Sequence, residues 1–440
     1  MAHLNNAGWE NVSDSEHADL IIVNSCGFIE SAKQESINAV LEWRKLYPGK
    51  KILLSGCLSQ RYAKEMSEIL PEADGFMGVE DITQIVEKAW EIIQEDITQT
   101  SNQRFDKGTE DTEKKKTREE DIILTGNRPL LSMPGSAYVK ISEGCNNNCS
   151  YCAIPLIRGG LVSRSIPEIV EECSKLLSRG IKELCIIGQD IGAYGADLSE
   201  GSKLPELLQA ISALKGDFWV RLLYIHPDHF PLQILDIMER DPRFLPYFDI
   251  PFQHASQKIL TAMNRKGSAE KHLELLNTIR TRLPNAVLRS TFLLGFPGET
   301  DQDFDDLLLF QQEAKLDWLG CFAYSREEGT AAFSMKKRVR AKIAEERKEL
   351  IEEKQIPIME KNMERFEGQN LSVLIEEQVD EFYLGRLYCQ APDIDGAAVI
   401  VGSGAGANDN GETEGKKLQL GTLVPCKVIA RRGFDLEVWV

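Results

Sequence analysis

Three thiols, Cys145, Cys149 and Cys152, stand together in CNNNCSYC, just after an apolar, β-branched run. A loop of that kind lets three thiolates converge on one metal centre. Three ligands on a cubane iron-sulfur cluster leave one iron open to the amino and carboxylate groups of a small molecule, whereas a four-cysteine cluster is closed and carries only electrons. The same residues could instead form a structural zinc site lacking its fourth ligand, or be three unconnected thiols. Cys26 and Cys57 each end an apolar run, DLIIVNSC and KILLSGC. In a parallel sheet both lie at the carboxyl edge, where α/β folds build their sites, and two converging thiols are half a metal site. The alternative is that they are small buried hydrophobes. Cys173, Cys185, Cys321, Cys389 and Cys426 have no partner at metal-binding spacing and read as core or surface residues.

A chain of 440 residues is long enough for two or three domains, each with its own core. Residues 1–95 alternate short apolar strands with helical stretches (Asp19 to Cys26, Lys51 to Cys57, Gly75 to Val79), the pattern of a small parallel α/β domain. From 96 to 130 the composition turns polar, with TEDTEKKKTREED almost free of apolar anchors, and reads as a charged linker. In 131–367, strands are predicted at Ser136–Ile141, Glu183–Ile187, Phe218–Tyr224, Tyr247–Ile250, Val287–Leu294 and Trp318–Tyr324, mostly separated by helices. Six such repeats predict an open, partial (βα)6 TIM-like barrel. Lys336–Glu367 reads as one or two long solvated helices acting as a connector. Residues 368–440 return to short alternating runs around GSGAGANDNGETEG and predict a small β-barrel. The predicted class is therefore α/β with a terminal β-barrel.

Lysine and arginine total 51 against 69 acidic residues, a net charge of −18, which repels a phosphate backbone unless basic residues are concentrated locally. A basic protein partner fits at least as well. No stretch reaches the ~20 apolar residues of a membrane helix, and MAHLNNAGWE lacks the regions of a signal peptide. A cytoplasmic protein with no membrane role is expected, and ten cysteines there favour metal or catalytic use over disulfides.

The cysteine motif, with Tyr151 before its last thiol, resembles the radical S-adenosylmethionine (SAM) superfamily. In that superfamily the segment at Gly188, Gln189 and Asp190 contacts the SAM amino group, and LLGFPGET, with Gly295, Gly298 and Glu299, resembles a later glycine-rich SAM-contacting segment. Either peptide alone is a weak signal, since such turns often only reverse the chain. Their order and strand context behind the cysteines give them meaning.

Together with NSCGFIESAKQESI and LLSGCLSQRY, these segments resemble the methylthiotransferase family over nearly the whole chain. The resemblance implies two 4Fe-4S clusters and SAM, the first cluster on Cys145, Cys149 and Cys152, the second on three cysteines of the amino-terminal domain, Cys26 and Cys57 among them. The family's first cysteine follows an initial strand, in a Gly-Cys-x-Lys-Asn-like loop with no counterpart here. The start of the domain is expected to be truncated, the chain beginning inside the next helix at about HLNNAGWE.

CAIPLIRGG, QDIGAYGADL, YFDIPFQHAS and YSREEGTAA are similar to the branch that modifies an aspartate of small-subunit ribosomal protein S-twelve, although His226 stands where a tyrosine is more usual before the proline. The terminal segment, through YLGRLYCQAPDIDG, resembles a TRAM domain. Arg365–Val440 holds twelve acidic and seven basic residues, a net of −5, which suits a basic ribosomal protein better than a nucleic acid. The resemblance implies an electron from a donor such as flavodoxin or ferredoxin, cleavage of SAM to a 5′-deoxyadenosyl radical, hydrogen abstraction from the aspartate β-carbon, and coupling of that carbon to a methylated sulfur drawn from a sulfur source. The cofactors supply the chemistry, so no side chain is assigned as general acid or base. Asp249, Gln253 and His254, after the fourth strand, are candidate substrate contacts. The competing readings are a transfer-RNA adenosine methylthiotransferase, and a non-catalytic ribosome-binding iron-sulfur protein missing one cluster ligand.

Overall fold

The computed structural model describes residues 1–79, 82–100, 130–198, 203–380, 382–402 and 417–440. Most of the expected linker and of the Gly/Asn-rich loop lies outside these residues. They divide into two compact units, the first gathering the amino-terminal residues with Tyr151–Gly160 and Ser325–Phe333, the second taking the rest.

In the first unit, β1 (Leu20–Ser25), β2 (Lys51–Gly56) and β3 (Gly75–Met77) form a parallel sheet in that order. Alternation along β2 decides what covers each face. Ile52 and Leu54 pack with Val23, Val40 and Leu58, the last two from helices Glu30–Leu46 and Cys57–Ile69. Leu53 packs with Leu4, Ile85, Ala89 and Ile92.

The second unit is built on six parallel strands. In chain order β4 (Ser136–Lys140) is followed by a short antiparallel pair, β5 (Ser142–Glu143) and β6 (Val162–Ser163), then by β7 (Glu183–Ile187), β8 (Trp219–Leu222), β9 (Phe244–Asp249), β10 (Val287–Leu294) and β11 (Trp318–Ala323). The sheet order is β4-β7-β8-β9-β10-β11, so each strand lies beside its predecessor, as in a partial (βα) barrel. Helices cover one face. Ile166–Ser178 starts on a capping box made by Ser165 and Glu168, and Asp301–Ala314 on one made by Thr300 and Asp303, which fixes where each crossover turns back onto the sheet.

The other face of the sheet shares a core with the carboxyl-terminal strands. Trp219, Leu245, Tyr247, Val287 and Trp318 pack with Val373, Ile375, Leu387, Ala398 and Val428. Strands β12 (Asn370–Val379), β13 (Phe382–Arg386), β14 (Ala398–Gly402), β15 (Leu423–Arg432) and β16 (Asp435–Trp439) close into a barrel, which leaves no open edge. Polar anchors reinforce that packing: Arg221 Nη1 donates to Tyr388 O at 2.9 Å, Trp318 Nε1 to Cys389 O at 2.8 Å, and the Tyr247 hydroxyl to Asp395 Oδ2 at 2.6 Å. At the amino end of β7, Glu183 is fully buried between Arg221 at 2.7 Å and Arg386 at 2.5 Å, and Arg386 also reaches Glu376 at 2.6 Å.

The expected solvated connector is a covering helix instead. Ala341–Met363 is a single helix with Pro357 inside it, and it buries Ala344, Arg347, Ile351, Gln355, Met359 and Met363. These positions recur every three or four residues and form one stripe, diluted in the sequence by the charged residues between them. Cys173, Cys185, Cys321, Cys389 and Cys426 are buried. Among the described residues, no helix is long and apolar enough to cross a membrane.

Candidate iron-sulfur and SAM site

Within the second unit, Cys145 and Cys149 follow β4 and β5 at the carboxyl ends of the parallel strands, where strand-to-helix loops collect ligands. Each asparagine between them has a structural use. Asn146 Oδ1 accepts from Leu161 N at 3.0 Å, Asn147 Nδ2 donates to Asp190 Oδ2 at 2.8 Å, and Asn148, at φ 51°, offers its carbonyl to Asn264 Nδ2 at 2.9 Å. Ser150 is tied by its amide to Met263 O at 3.0 Å and by its hydroxyl to Ala262 O at 2.8 Å. The loop is therefore held in shape independently of its thiols. Burial raises the Cys145 thiol above its ordinary range, and Asp190 and Cys149 add to the effect against the amide of Asn147. A bound metal, which deprotonates its thiol ligands, offsets that cost.

Beyond the cysteines, β7 ends in Gly188, Gln189 and Asp190. A Cβ on Gly188 would stand 2.8 Å from Ser142 Oγ, so the strand end approaches β5 as only glycine allows. Asp190 is locked: Oδ2 accepts from Asn147 and faces His229 Nδ1 at 2.8 Å, while Oδ1 accepts from Gly192 N and His226 N, each at 3.0 Å. Burial works against its charge, but these hydrogen bonds more than offset it and hold the carboxyl below the usual range. Gln189 Oε1 and Ser142 Oγ, by contrast, are buried with no hydrogen-bond partner. Buried acceptors without partners are rare in a folded protein and call for a donor from outside the chain.

The other glycine-rich turn is organised by its own glutamate. Glu299 Oε2 accepts from Gly295 N at 2.7 Å and Phe296 N at 3.2 Å, and Oε1 from Arg347 at 2.6 Å. Gly295 and Gly298 both sit at positive φ, and a Cβ on Gly295 would fall 2.3 Å from the Ala344 side chain. Glu299 thus holds the turn, with both carboxylate oxygens engaged. At the end of β9, Asp249 is buried against Arg289 at 2.9 Å with Oδ2 unpartnered, and burial pushes its carboxyl up. His254 is fully enclosed, its Nδ1 accepting from Ser256 N at 3.0 Å, and Gln253, at φ 71°, is joined through its backbone to β10.

Tyr151 and Cys152 fall in the first unit, with the amino-terminal cysteines. The last pair of the β1–β2 register is Ser25 with Gly56, so Cys26 and Cys57 leave neighbouring parallel strands side by side. Cys57 opens its helix, and Arg158 Nη2 lies 3.5 Å from its sulfur. Arg61 bridges Gly27 O at 2.9 Å and the buried Glu327 at 2.6 Å. A Cβ on Gly27 would sit 2.5 Å from Cys57 O, against backbone that cannot yield cheaply. Gly27→Ala is expected to lower unfolding free energy by about 1–3 kcal/mol in denaturant titration, while Gly49→Ala, with no atom within 4 Å of its Cβ, stays within about 0.5 kcal/mol.

Among the described residues, no three His, Cys, Asp or Glu side chains are grouped closely enough to hold a metal ion. The donors nevertheless fit the groups expected: soft thiols for iron and sulfide, and unsatisfied acceptors at the end of β7 and on β5 for a cationic amine. Sequence reading missed Asn264, Arg158 and Arg265, the last 4.0 Å from Cys149 Sγ, because only the fold brings them to the thiols.

Models of known families match three stretches: the radical SAM superfamily over residues 139–310, uncharacterized protein family UPF0004 over 1–78, and a TRAM domain over 368–440. The chain is 45% identical to ribosomal protein uS12 methylthiotransferase RimO of Treponema denticola, over 99% of this chain and 95% of that protein. It is 40% identical to the protein so named in Syntrophomonas wolfei, over 99% and 94%, and 38% identical to that of Thermotoga maritima, over 91% and 89%. Identity at that level along the whole length, with the radical SAM and TRAM segments in place, means that the chain belongs to the ribosomal protein uS12 methylthiotransferase family of radical SAM enzymes.

Proposed function

We propose that this protein attaches a methylthio group to the β-carbon of an aspartate in small-subunit ribosomal protein uS12, the S-twelve protein, working with ribosomes in the cytoplasm. The observation that carries this reading is the 45% identity to a uS12 methylthiotransferase across 99% of the chain. Membership of a radical SAM family implies one 4Fe-4S cluster and SAM; we assign that cluster to Cys145, Cys149 and Cys152. When bound, the pair supplies reductive cleavage of SAM and a radical able to remove hydrogen from an unactivated carbon. Gln189 Oε1 and Ser142 Oγ hold the SAM amino group, beside an Asp190 already fixed by its own partners. Gly295, Gly298 and Glu299 shape the turn that keeps SAM in register, and Tyr151 flanks the last thiol. The asparagine-clamped loop holds the thiols still, which shields the radical from unproductive encounters.

We assign Cys26 and Cys57 as two ligands of a second 4Fe-4S cluster, from which the sulfur is delivered; the third cysteine, which the family places in a Gly-Cys-x-Lys-Asn-like loop, has no counterpart in this sequence. Their position on adjacent strand ends and the guanidinium of Arg158 beside Cys57 support the assignment. The reaction also draws on an electron donor of the flavodoxin or ferredoxin class and on a source of sulfur. The test is anaerobic reconstitution followed by mass spectrometry of uS12 incubated with SAM and reductant. The expected result is about four iron atoms per chain from the first cluster, and about eight with a methylthio mass gain on uS12 in a form that also carries the family's third amino-terminal cysteine. SAM cleavage without that gain would refute the substrate assignment, and a gain on transfer RNA would replace it.

A further inference from the structure

Cys149 has a cationic neighbour that its motif does not include. Arg265 is 5% exposed, directs Nη1 at Cys149 Sγ from 4.0 Å, and anchors Nη2 on Pro251 O at 2.6 Å. It closes a turn, Ala262–Arg265, whose other residues hold the cysteine loop through Ser150 and Asn148. The guanidinium is thus carried on the same piece of backbone that positions the thiol, so their separation is fixed. Two nearby imidazoles do not share the charge: burial, and after it the guanidinium itself, hold His226 at about 4 and His272 at about 3, so both are neutral at physiological pH. Arginine, in contrast, keeps its proton at any pH the protein meets.

We propose that Arg265 sets the reduction potential of the cluster on Cys145, Cys149 and Cys152 by donating a charge-assisted hydrogen bond to the Cys149 sulfur. The inference rests on the cluster assignment made above. Reduction adds one electron from an external low-potential donor, which is oxidised by one electron, and leaves the cluster with its thiolates one charge more negative. A fixed cation a few ångströms away, in a poorly solvated site, favours that more negative form and raises the potential. Arg265 does not touch a reacting atom, so it is a positioning residue.

The experiment uses the full-length chain with Cys26→Ala and Cys57→Ala, so that a single cluster is observed, in a dithionite titration followed by electron paramagnetic resonance. If this parent shows no cluster, the assignment itself fails and the inference with it. If it shows one, Arg265→Gln is expected to retain iron while its ratio of reduced to oxidised cluster at a fixed poise falls about tenfold, a shift of about 59 mV to more negative potential for one electron. Retained iron at an unchanged potential would overturn the proposal. So would an equal shift in Asn264→Ala, which loosens the loop and leaves the charge. Should Arg265→Gln lose its iron, Arg265→Lys decides: iron kept with a ratio of reduced to oxidised cluster within twofold of the parent supports the charge, and any other result makes Arg265 a structural clamp only.

Discussion

Cys149→Ala is expected to lower the iron content of reconstituted protein from about four atoms to near none and to bring reductive SAM cleavage down to background, while the circular dichroism spectrum stays that of the parent. The fold survives because the loop is held by Asn146, Asn147, Asn148 and Ser150 and not by the thiol. The chemistry does not, because two thiolates cannot hold a cubane with one iron open. Cys173→Ala is the matched control: its thiol is a core group, fully buried with its pKa pushed to about 12, so its loss costs packing and no iron. Assembly should also slow as pH falls, since iron must displace the proton of Cys145, whose burial favours the thiol. Full iron and full SAM cleavage in Cys149→Ala would remove Cys149 from the ligand set.

Glu183→Gln should be the most destabilising single change in the second unit outside its apolar core, by about 3–5 kcal/mol, because it leaves Arg221 and Arg386 buried without the carboxylate between them. The pH dependence separates this from a packing defect. Burial would raise the Glu183 carboxyl, but Arg221 and Arg386 outweigh burial and bring it from 4.5 to about 2. A depressed folded value contributes stability above the unfolded value, near 4.5, and loses it as pH falls through about 2. The gap between wild type and Glu183→Gln, measured by urea denaturation, should therefore be full at pH 7 and shrink between pH 4.5 and 2. A gap that stays constant would assign the loss to shape and not to charge.

What could be read from the sequence was whatever depends on neighbours along the chain. The strands before Cys26, Cys57 and Cys145 announce themselves by apolar, β-branched runs, and parallel topology then fixes which end of the sheet receives the thiols. One strand was placed late. β9 begins at Phe244, three residues before the predicted start at Tyr247, and Pro246 within it is tolerated where the β8–β9 pairing slips between Val220 and Leu222. The partners of the thiols were illegible for another reason. Arg265 lies 116 positions from Cys149 and Arg158 lies 101 from Cys57, and nothing local to an arginine says which sulfur it will meet. Asn146, Asn147 and Asn148 carry no local signal because their partners at Leu161, Asp190 and Asn264 come together only once the sheet exists.

The anchors between the six-stranded sheet and the small barrel bear on how such a chain can be rebuilt. Tyr388, Cys389 and Asp395 receive hydrogen bonds from Arg221, Trp318 and Tyr247, three different strands of the sheet, and Arg386 completes the charge around Glu183. A TRAM module grafted from another protein would have to bring its own match for each of these, and a chain cut at residue 367 would expose a tryptophan-lined face and strand a carboxylate. The last domain and the sheet therefore form one unit of exchange in this chain, and a chimera should not be joined between the sheet and the barrel.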